Sequence, residues 1–331
     1  MRGGGVLTLW GTDGGPGAGH SVPMRPISPK NLLLSAAATL LLAAPASAAG
    51  APTIVYEKLT GGLFTVDATG AGNRAVTAKG YQPEWSPDGR RILYSNGDAP
   101  GGLMTVRADG SDRRTVLRAP LTVDGHRAYA LTHPTWAPDA KRVAFSAEYE
   151  KDVPGSDDGE VETVYKLATA RVDGRGVRVL DEGRHPTWSP DGKRLAYVQD
   201  RGPAGARIMT IRADGTGRKV LVRAQNTFRS ELDYSADGRK LLYLSNSRIR
   251  VLDLRTGRTV RVPERVADRV ADATWTPDGR VAYLRDDRAS GRTPPTSVFT
   301  IRADGAGNRR LFRLPYHEDH GIWAMKLSWR P

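Results

Sequence analysis

The sequence alternates short apolar runs with tight polar turns. The clearest unit is Trp-Ser-Pro-Asp-Gly, or a close variant, followed by an apolar run, and complete copies begin at Trp85, Trp136, Trp188, Tyr234 and Trp275. A sixth copy begins at Trp329. In such a unit proline presets φ, aspartate bonds to nearby backbone N–H groups and glycine takes the left-handed position. Each copy therefore predicts a hairpin turn between two antiparallel strands.

A second apolar phrase accompanies each of these units. It occurs six times, as in Leu103-Met104-Thr105-Val106 and Ile208-Met209-Thr210-Ile211, and most copies run into an Asp-Gly or Thr-Gly turn and another short apolar run. That arrangement indicates a further hairpin. Each repeat thus predicts four strands. Strand a ends at the motif aromatic residue, strand b follows the turn, strand c is the second phrase, and strand d follows its turn.

The repeat length predicts a β-propeller. The motif aromatic residues lie 51, 52, 46, 41 and 54 residues apart, and four strands in such a period are typical of one propeller blade. The repeats open at Thr53 with strands b, c and d, and they end with a strand a over 325–329. We therefore expect an all-β, six-bladed β-propeller of four-stranded antiparallel blades. C-terminal strand a should close the ring by pairing with N-terminal strands b, c and d.

These repeats resemble the TolB-type propeller family, whose WSPDG-repeat, WD40-like turns match the first, third and fifth copies and, more loosely, the second and fourth. The resemblance covers residues 53–331. It implies the fold, whereas propellers host binding, scaffolding and catalysis alike. We expect neither the N-terminal α/β domain of TolB nor a following peptidase domain. Ala140 replaces the turn glycine and Ala236 the proline, so both turns should be slightly strained or loosened.

The first 48 residues are expected to lie outside the propeller. Arg25 and Lys30 precede an apolar run over 32–44, which is followed by Ala46-Ser47-Ala48. A basic start, a short apolar run and small residues are typical of a secretory signal peptide, and the run is shorter than the roughly 20 residues that cross a bilayer. The predicted division has three parts. Residues 1–23 are a leader that either precedes the true start at Met24 or is disordered, residues 24–48 are a signal peptide, and residues 49–331 are the propeller. An uncleaved membrane anchor is the alternative.

Composition limits the class of protein and of partner. The chain has no cysteine, which excludes disulfides and thiolate metal sites. Its net charge of +13 favours attraction to anionic material at long range. Together with the export signal, this predicts a secreted or cell-envelope-associated monomer without a transmembrane segment in its mature form. The expected partner is a protein, a peptide or a cell-envelope glycan, and not nucleic acid.

Histidine is the residue type whose placement the repeat leaves unexplained. All the histidines after the leader lie in strand a or in the connection to it, and in a propeller these segments meet at one mouth of the central channel. Gln82 and Lys326 occupy the same position, three residues before the motif aromatic residue, as two of these histidines. The candidate ligand-binding residues at this mouth are His126, His133, His185, Glu231, Asp272, His317, Asp319, His320, Trp323 and Lys326.

Three interpretations of this cluster remain open. In the first its side chains serve only to join neighbouring blades, in the second they bind a polar ligand, and in the third the imidazoles hold a divalent metal such as zinc or manganese. The metal would be drawn from His126, His133, His185, His317 and His320. We expect a non-catalytic binding or scaffold module with no cofactor. The alternative is a metal-dependent carbohydrate-active enzyme, a lyase or hydrolase, because some pectate-type lyases that resemble this propeller bind a metal through central histidines.

Overall fold

The fold is an all-β, six-bladed propeller, which confirms the prediction. The computed structural model describes residues 53–58, 61–97, 101–123, 125–152, 161–201, 205–224, 231–263, 270–286, 296–314 and 326–330. Within these ranges the chain forms 26 strands and no helix, so the described residues offer no helical span for a membrane. The strands form six four-stranded antiparallel sheets and one separate hairpin.

The first three blades use the predicted order of strands a, b, c and d. Blade 1 contains β26 (Leu327–Trp329), β1 (Thr53–Glu57), β2 (Leu63–Asp67) and β3 (Arg74–Thr77). Blade 2 contains β4 (Tyr81–Trp85), β5 (Ile92–Ser95), β6 (Leu103–Val106) and β7 (Arg114–Leu117). Blade 3 contains β10 (Ala130–Trp136), β11 (Arg142–Asp152), β12 (Val161–Arg171) and β13 (Arg178–Glu182).

The remaining three blades repeat this order. Blade 4 contains β14 (Arg184–Trp188), β15 (Arg194–Asp200), β16 (Ala206–Arg212) and β17 (Lys219–Ala224). Blade 5 contains β18 (Asp233–Tyr234), β19 (Lys240–Ser245), β20 (Arg248–Asp253) and β21 (Thr259–Arg261). Blade 6 contains β22 (Val270–Trp275), β23 (Val281–Asp286), β24 (Thr296–Ile301) and β25 (Arg309–Arg313).

The Trp-Ser-Pro-Asp-Gly turns form because their side chains satisfy the backbone of the hairpin. In blade 2 the Ser86 hydroxyl donates to Asp88 Oδ1 (2.6 Å) and accepts the N–H of Arg91 (2.9 Å). Gly89 donates its N–H to the Ser86 carbonyl (2.8 Å) at a φ of +64°. The corresponding serine-to-aspartate bond recurs in blades 4 and 5. The turn therefore sets the boundary between strands a and b.

The hydrophobic core lies between blades rather than at one centre. Trp85 at the end of β4 belongs to a buried cluster with Val55 and Leu63 of blade 1 and Ile92 of its own blade. Phe145 of β11 belongs to a cluster that also draws apolar residues from blade 2. Each motif aromatic residue thus joins its own blade to the preceding one, which is why the repeat keeps a large aromatic side chain there.

The C-terminal strand closes the ring on the N-terminal one. β26 pairs antiparallel with β1, with Ile54 opposite Trp329 and Val55 opposite Ser328. Beyond the strand, the N–H of Arg330 donates to the carbonyl of Thr53 (2.9 Å). The closure predicted from the sequence is therefore confirmed, although residue 325, its expected first residue, lies outside the described residues.

Blade 3 has additions that the repeat did not predict. The hairpin of β8 (Leu121–Val123) and β9 (His126–Ala128) stands apart from the six sheets. β11 and β12 are each eleven residues long, longer than the other described strands. Their pairing continues to Asp152 opposite Val161. These elements extend blade 3 at the end where its inner strand begins.

Candidate functional site

Each blade places one polar side chain at the position three residues before its motif aromatic residue. We call this set the channel ring. Its members are Gln82, His133, His185, Glu231, Asp272 and Lys326.

A β-bulge in strand a places the first three members of the ring. The pairing of strand a with strand b shifts register between Tyr81 and Glu84 in blade 2, and equivalent shifts occur in blades 3 and 4. Gln82, His133 and His185 lie in these bulges at φ values of 55°, 49° and 54°. Left-handed backbone is costly for residues other than glycine, so a polar side chain is placed here at the expense of local strain.

Gln82 and His133 form a two-point contact between blades 2 and 3. The backbone N–H of His133 donates to Gln82 Oε1 (2.7 Å), and the Gln82 amide nitrogen lies 3.0 Å from His133 Nε2. Since the amide oxygen accepts the first bond, the amide NH₂ donates the second, and His133 Nε2 carries a lone pair. The other ring nitrogen, Nδ1, then donates to the hydroxyl of Thr132 (3.1 Å).

His185 continues the ring from His133 to Glu231. The two imidazole rings have centroids 3.7 Å apart, and His185 Nδ1 lies 3.3 Å from Glu231 Oε1. On its other side, the Arg184 guanidinium donates to His185 Nε2 (2.5 Å) and is held by Asp200 (2.6 Å). Because arginine can only donate, His185 accepts at Nε2 and donates from Nδ1 to Glu231.

Glu231 and Lys326 form the ion pair of the ring. Their side chains are 18% and 12% exposed, and Lys326 Nζ lies 3.3 Å from Glu231 Oε2. Burial opposes ionisation of Glu231, but Lys326 and His185 outweigh it and hold the Glu231 pKa well below its usual range. Burial likewise opposes the charge of Lys326, yet the carboxylates of Glu231, Glu84 and Asp272 raise its pKa. Both groups are therefore charged at neutral pH.

Asp272 completes the ring on the side of the closing strand. Its Oδ2 accepts the N–H of Leu327 (2.7 Å), while Oδ1 is buried without a hydrogen-bond partner among the described residues. Burial and then the charge of Glu231 raise the Asp272 pKa to about 7. The ring thus contains a carboxyl group that titrates near neutrality.

A second polar layer lies one residue before the motif aromatic residues. Glu84 accepts the backbone N–H of Trp136 (3.1 Å), and Asp233 accepts that of Trp275 (2.8 Å). Ser328 accepts the N–H of Trp85 (3.1 Å). Burial raises the pKa of Glu84 to about 7 and of Asp233 to about 6. This layer was not predicted from the sequence, although a polar residue precedes the motif aromatic residue in every blade.

The structure brings together five of the predicted site residues and places one elsewhere. His133, His185, Glu231, Asp272 and Lys326 all belong to the channel ring. His126 instead lies exposed on β9 and stacks on Tyr149, with ring centroids 4.7 Å apart, because the added hairpin carries it. The other predicted members, His317, Asp319, His320 and Trp323, lie outside the described residues.

The geometry of three ring members matches a metal-ligand set. Donor atoms of His133, His185 and Glu231 all lie within 4.8 Å of one another. The atoms that face one another are already bonded: His133 Nε2 accepts from the Gln82 amide, and His185 Nδ1 donates to Glu231 Oε1. Arg184 and Lys326 hold the other atoms of the set, His185 Nε2 and Glu231 Oε2. A divalent cation at these atoms would have to displace the Gln82 amide from His133 and the proton from His185 Nδ1, so this part of the channel ring is a closed hydrogen-bonded network as it stands.

A pocket opens beside the ring, between the first three blades. We call it the mouth pocket; its cavity volume is about 420 Å³ and its lining includes Glu57, Lys58, Tyr81, Gln82, Tyr129 and Thr132. It meets the channel ring at Gln82. The pocket lies at the starts of the inner strands and the ends of strands b, which is the mouth where the histidines were expected.

Two tyrosines shape the wall of the mouth pocket. Tyr129 is 40% exposed, among the few large apolar side chains of the described residues with that much exposure. Tyr81 lies against Gly97, where an added Cβ would come within 2.0 Å of the ring. Gly97 also has a φ of +66°. A side chain at position 97 would therefore push Tyr81 out of the wall.

Comparisons with known proteins agree with the fold. No protein-family model matches the chain. The chain is similar to TolB from Acinetobacter baumannii, with a TM-score of 0.60 at 18% identity over 85% of this chain and 67% of that one. It is also similar to an oligogalacturonate lyase in complex with manganese, with a TM-score of 0.53 at 16% identity over 79% of this chain and 78% of that one. At such identities these likenesses show the fold alone.

Among curated proteins, the chain is similar to dipeptidyl-peptidase 5 of Porphyromonas gingivalis. The two are 24% identical over 289 residues, which cover 70% of this chain and 41% of that protein. The chain spans less than half the length of the curated relatives it matches. The match therefore does not carry that protein's activity to this chain.

Proposed function

We propose that this chain is an exported, non-catalytic binding module that takes a segment of a protein, peptide or cell-envelope glycan into the mouth pocket. The mouth pocket carries the proposal, because its volume of about 420 Å³ lies within the range of roughly 300–1,000 Å³ of ligand sites. Export rests on the signal-like segment over 24–48. The exported module is expected to act as a monomer without nucleic acid as a partner.

The state of the channel ring supports a binding role over a catalytic one. Its most reactive groups are already engaged within the ring: His133 is hydrogen-bonded to Gln82, and Glu231 is paired with Lys326. The mouth pocket, by contrast, combines an exposed aromatic ring, Tyr129, with the polar side chains of Gln82 and Thr132. An apolar wall with a few placed polar groups is the usual composition of a binding site.

The test is to screen the purified chain on peptide and cell-wall glycan arrays alongside two variants. Tyr129→Ala removes the exposed ring from the pocket wall. Val260→Ala, on the outer strand of blade 5, removes a comparably exposed apolar side chain (43%) and serves as the matched control. We expect a Tyr129→Ala loss of at least about tenfold in affinity, with Val260→Ala unchanged. Equal binding by all three proteins would refute the pocket as the binding site.

A second candidate is a metal-dependent carbohydrate-active enzyme, a lyase or hydrolase, centred on the channel ring. The observation that favours it is the convergence of His133, His185 and Glu231 donor atoms within 4.8 Å. Manganese or zinc would be the metals suited to these ligands. Metal analysis after dialysis against Mn²⁺ or Zn²⁺ tests it. One ion per chain, lost in His185→Ala, would support this candidate, and no retained ion would reject it.

A further inference from the structure

Glu57 is a buried carboxyl group in the wall of the mouth pocket. The residue is 3% exposed, and its Oε2 accepts the backbone N–H of Gln82. Among the described residues, no hydrogen-bond donor reaches the other carboxyl oxygen. Since a carboxylate can accept several hydrogen bonds, Glu57 has capacity left for a group that enters the pocket.

The carboxyl groups around the channel outnumber the cation that serves them. Lys326 acts on five carboxyl groups around the channel in the described part of the chain, which are Glu57, Glu84, Glu231, Asp233 and Asp272. Among the described residues, its close carboxylate partner is Glu231, at 3.3 Å. The remaining carboxyl groups either hold protons or gain from a second cation. The channel therefore favours an added positive charge despite the net charge of +13 on the whole chain.

We propose that the mouth pocket binds the primary ammonium group of a peptide or protein, an N-terminal amine or a lysine side chain, against Glu57 and beside the rings of Tyr81 and Tyr129. This inference rests on the proposed function of the pocket. An ammonium ion donates charge-assisted hydrogen bonds to a carboxylate and is attracted to aromatic faces. Every protein carries such groups, whereas the amino groups of cell-wall sugars are commonly acylated, so peptides are the favoured class.

The protonation of Glu57 fits a site that is charged only when filled. Burial raises the Glu57 pKa to about 8, so at pH 7 the free pocket presents mainly a neutral carboxyl group. Binding of an ammonium group would stabilise the carboxylate, and the carboxyl proton would pass to solvent. Gln82 is hydrogen-bonded to Glu57, the charges of Lys326, Glu231 and Asp272 act on its pKa, and Lys58 lies in the same pocket lining. Binding should therefore release protons and strengthen between pH 6 and 8.

Lys58 provides a test of opposite sign in the same pocket. Its Nζ lies 3.8 Å from the centroid of the Phe64 ring, and burial lowers its pKa. As a cation in the pocket lining, it should repel an ammonium group and attract an anion. Removing the charge of Lys58 should thus raise the affinity for the proposed ammonium ligand, whereas removing the charge of Glu57 should lower it.

The experiment is calorimetric titration of the full chain with three peptides that carry different amines. The first, Ala-Gly-Ser-Gly-Tyr-amide, has a free N-terminus; the second is its N-acetylated twin; the third is the acetylated twin with a lysine in place of the serine. We expect the first, the third or both to bind at least about tenfold more tightly than the second. The stronger amine identifies the source of the ammonium group.

The variants make each outcome decisive. Glu57→Gln should lose about tenfold in affinity for the amine peptides and Lys58→Met should gain a few-fold, with unchanged circular dichroism. Four outcomes would overturn the inference. They are equal binding of all three peptides, the reverse order of the two variants, displacement of the amine peptides by millimolar CaCl₂ as the sole competitor, and no binding up to millimolar peptide. Should Glu57→Gln fail to fold, the peptide comparison on the wild-type chain still decides.

Failure of this inference is distinguishable from failure of the proposed function. If Tyr129→Ala abolishes binding of the acetylated peptide while Glu57→Gln leaves it intact, the pocket is a binding site without ammonium selectivity. If chitin-derived oligosaccharides bind and the peptides do not, the ligand class is a glycan and the inference is wrong. If Tyr129→Ala changes no interaction at all, the mouth pocket itself is not the site.

Discussion

At the scale of single residues, the channel ring shows how buried ionisable groups are tolerated at the centre of the fold. Glu231 is satisfied by Lys326 at 3.3 Å and by His185 at 3.3 Å. Removing one partner of a buried pair leaves an uncompensated charge, which is much costlier than losing an exposed pair. The ring should therefore respond strongly to single substitutions and less to paired ones.

We predict that Lys326→Met destabilises the chain by about 3–5 kcal/mol, because the Glu231 carboxylate loses its close cation. The double variant Lys326→Met with Glu231→Gln should recover part of this loss. The matched control is Lys151→Met, whose pair with Glu162 is more than half exposed at both ends and should cost less than about 1 kcal/mol. Urea unfolding measures all three, and equal effects at positions 326 and 151 would contradict the prediction.

The titration of the buried carboxyl groups predicts how stability depends on pH. Burial raises the folded-state pKa of Glu57 to about 8 and of Asp272 to about 7, above the values of the unfolded chain. Between the unfolded and folded pKa the native state binds more protons, so stability falls as pH rises, by up to about 1.4 kcal/mol per pH unit for each proton. The loss should accumulate from about pH 5 to pH 8.

Urea midpoints at pH 5.5 and pH 8.0 check this dependence, and we expect the higher midpoint at pH 5.5. Glu84→Gln imitates the protonated form of a third such group, whose pKa burial raises to about 7, and should flatten the profile. The amide oxygen can still accept the Trp136 N–H bond. A midpoint that is equal or higher at pH 8.0 would show that these groups are ionised at no cost to the fold.

At the scale of elements, the turn of each blade was predictable because its chemistry is local. The serine, proline, aspartate and glycine of the motif satisfy the backbone within five residues, as between Ser86 and Arg91. Ala140 is the exception among the turn glycines: it adopts a φ of 54° in the place where Gly192 has 65°. The expected strain is therefore located in the left-handed residue of the blade 3 turn.

We predict that Ala140→Gly stabilises the chain and that Gly192→Ala destabilises it, each by about 1 kcal/mol or less. The steric setting of Gly192 isolates the backbone effect, since an added Cβ would meet its nearest neighbours only at 3.7 Å. Thermal unfolding of the two variants, measured side by side, should shift the melting temperature in opposite directions. Shifts of the same sign would show that packing, not φ, controls these turns.

The site was predictable only as far as it follows the repeat. His133, His185, Glu231 and Lys326 could be placed together because each lies three residues before a motif aromatic residue. His126 could not be placed in this way, because the β8–β9 hairpin is an insertion without a counterpart in the other blades. The mouth pocket is lined by Tyr129 and Glu57, which come from different blades, and neither residue belongs to a repeated pattern.

At the scale of the whole molecule, the circle of six blades is closed by the three residues of β26. Leu327 is 2% exposed and packs in the cluster between blades 6 and 1. Its N–H donates to Asp272 of blade 6, and Ser328 accepts the N–H of Trp85 of blade 2. This strand therefore bonds to the blades on both sides as well as to β1, and the core between blades depends on it.

Deleting residues 325–331 should consequently open the circle of six blades. The deletion removes strand a of blade 1 and exposes the edge of β1. It also takes Lys326 away from the channel carboxyl groups, removes Leu327 and Trp329 from the cluster between blades 6 and 1, and removes Arg330 from the Trp85 ring. Their combined loss should exceed the net stability of a typical domain, about 5–15 kcal/mol, so the cooperative thermal transition should disappear and limited proteolysis should become rapid. Ser328→Ala is the graded control, because it keeps the strand and loses one hydrogen bond worth about 1 kcal/mol. A deletion variant that melts like Ser328→Ala would show that the other five blades hold the ring without its closing strand.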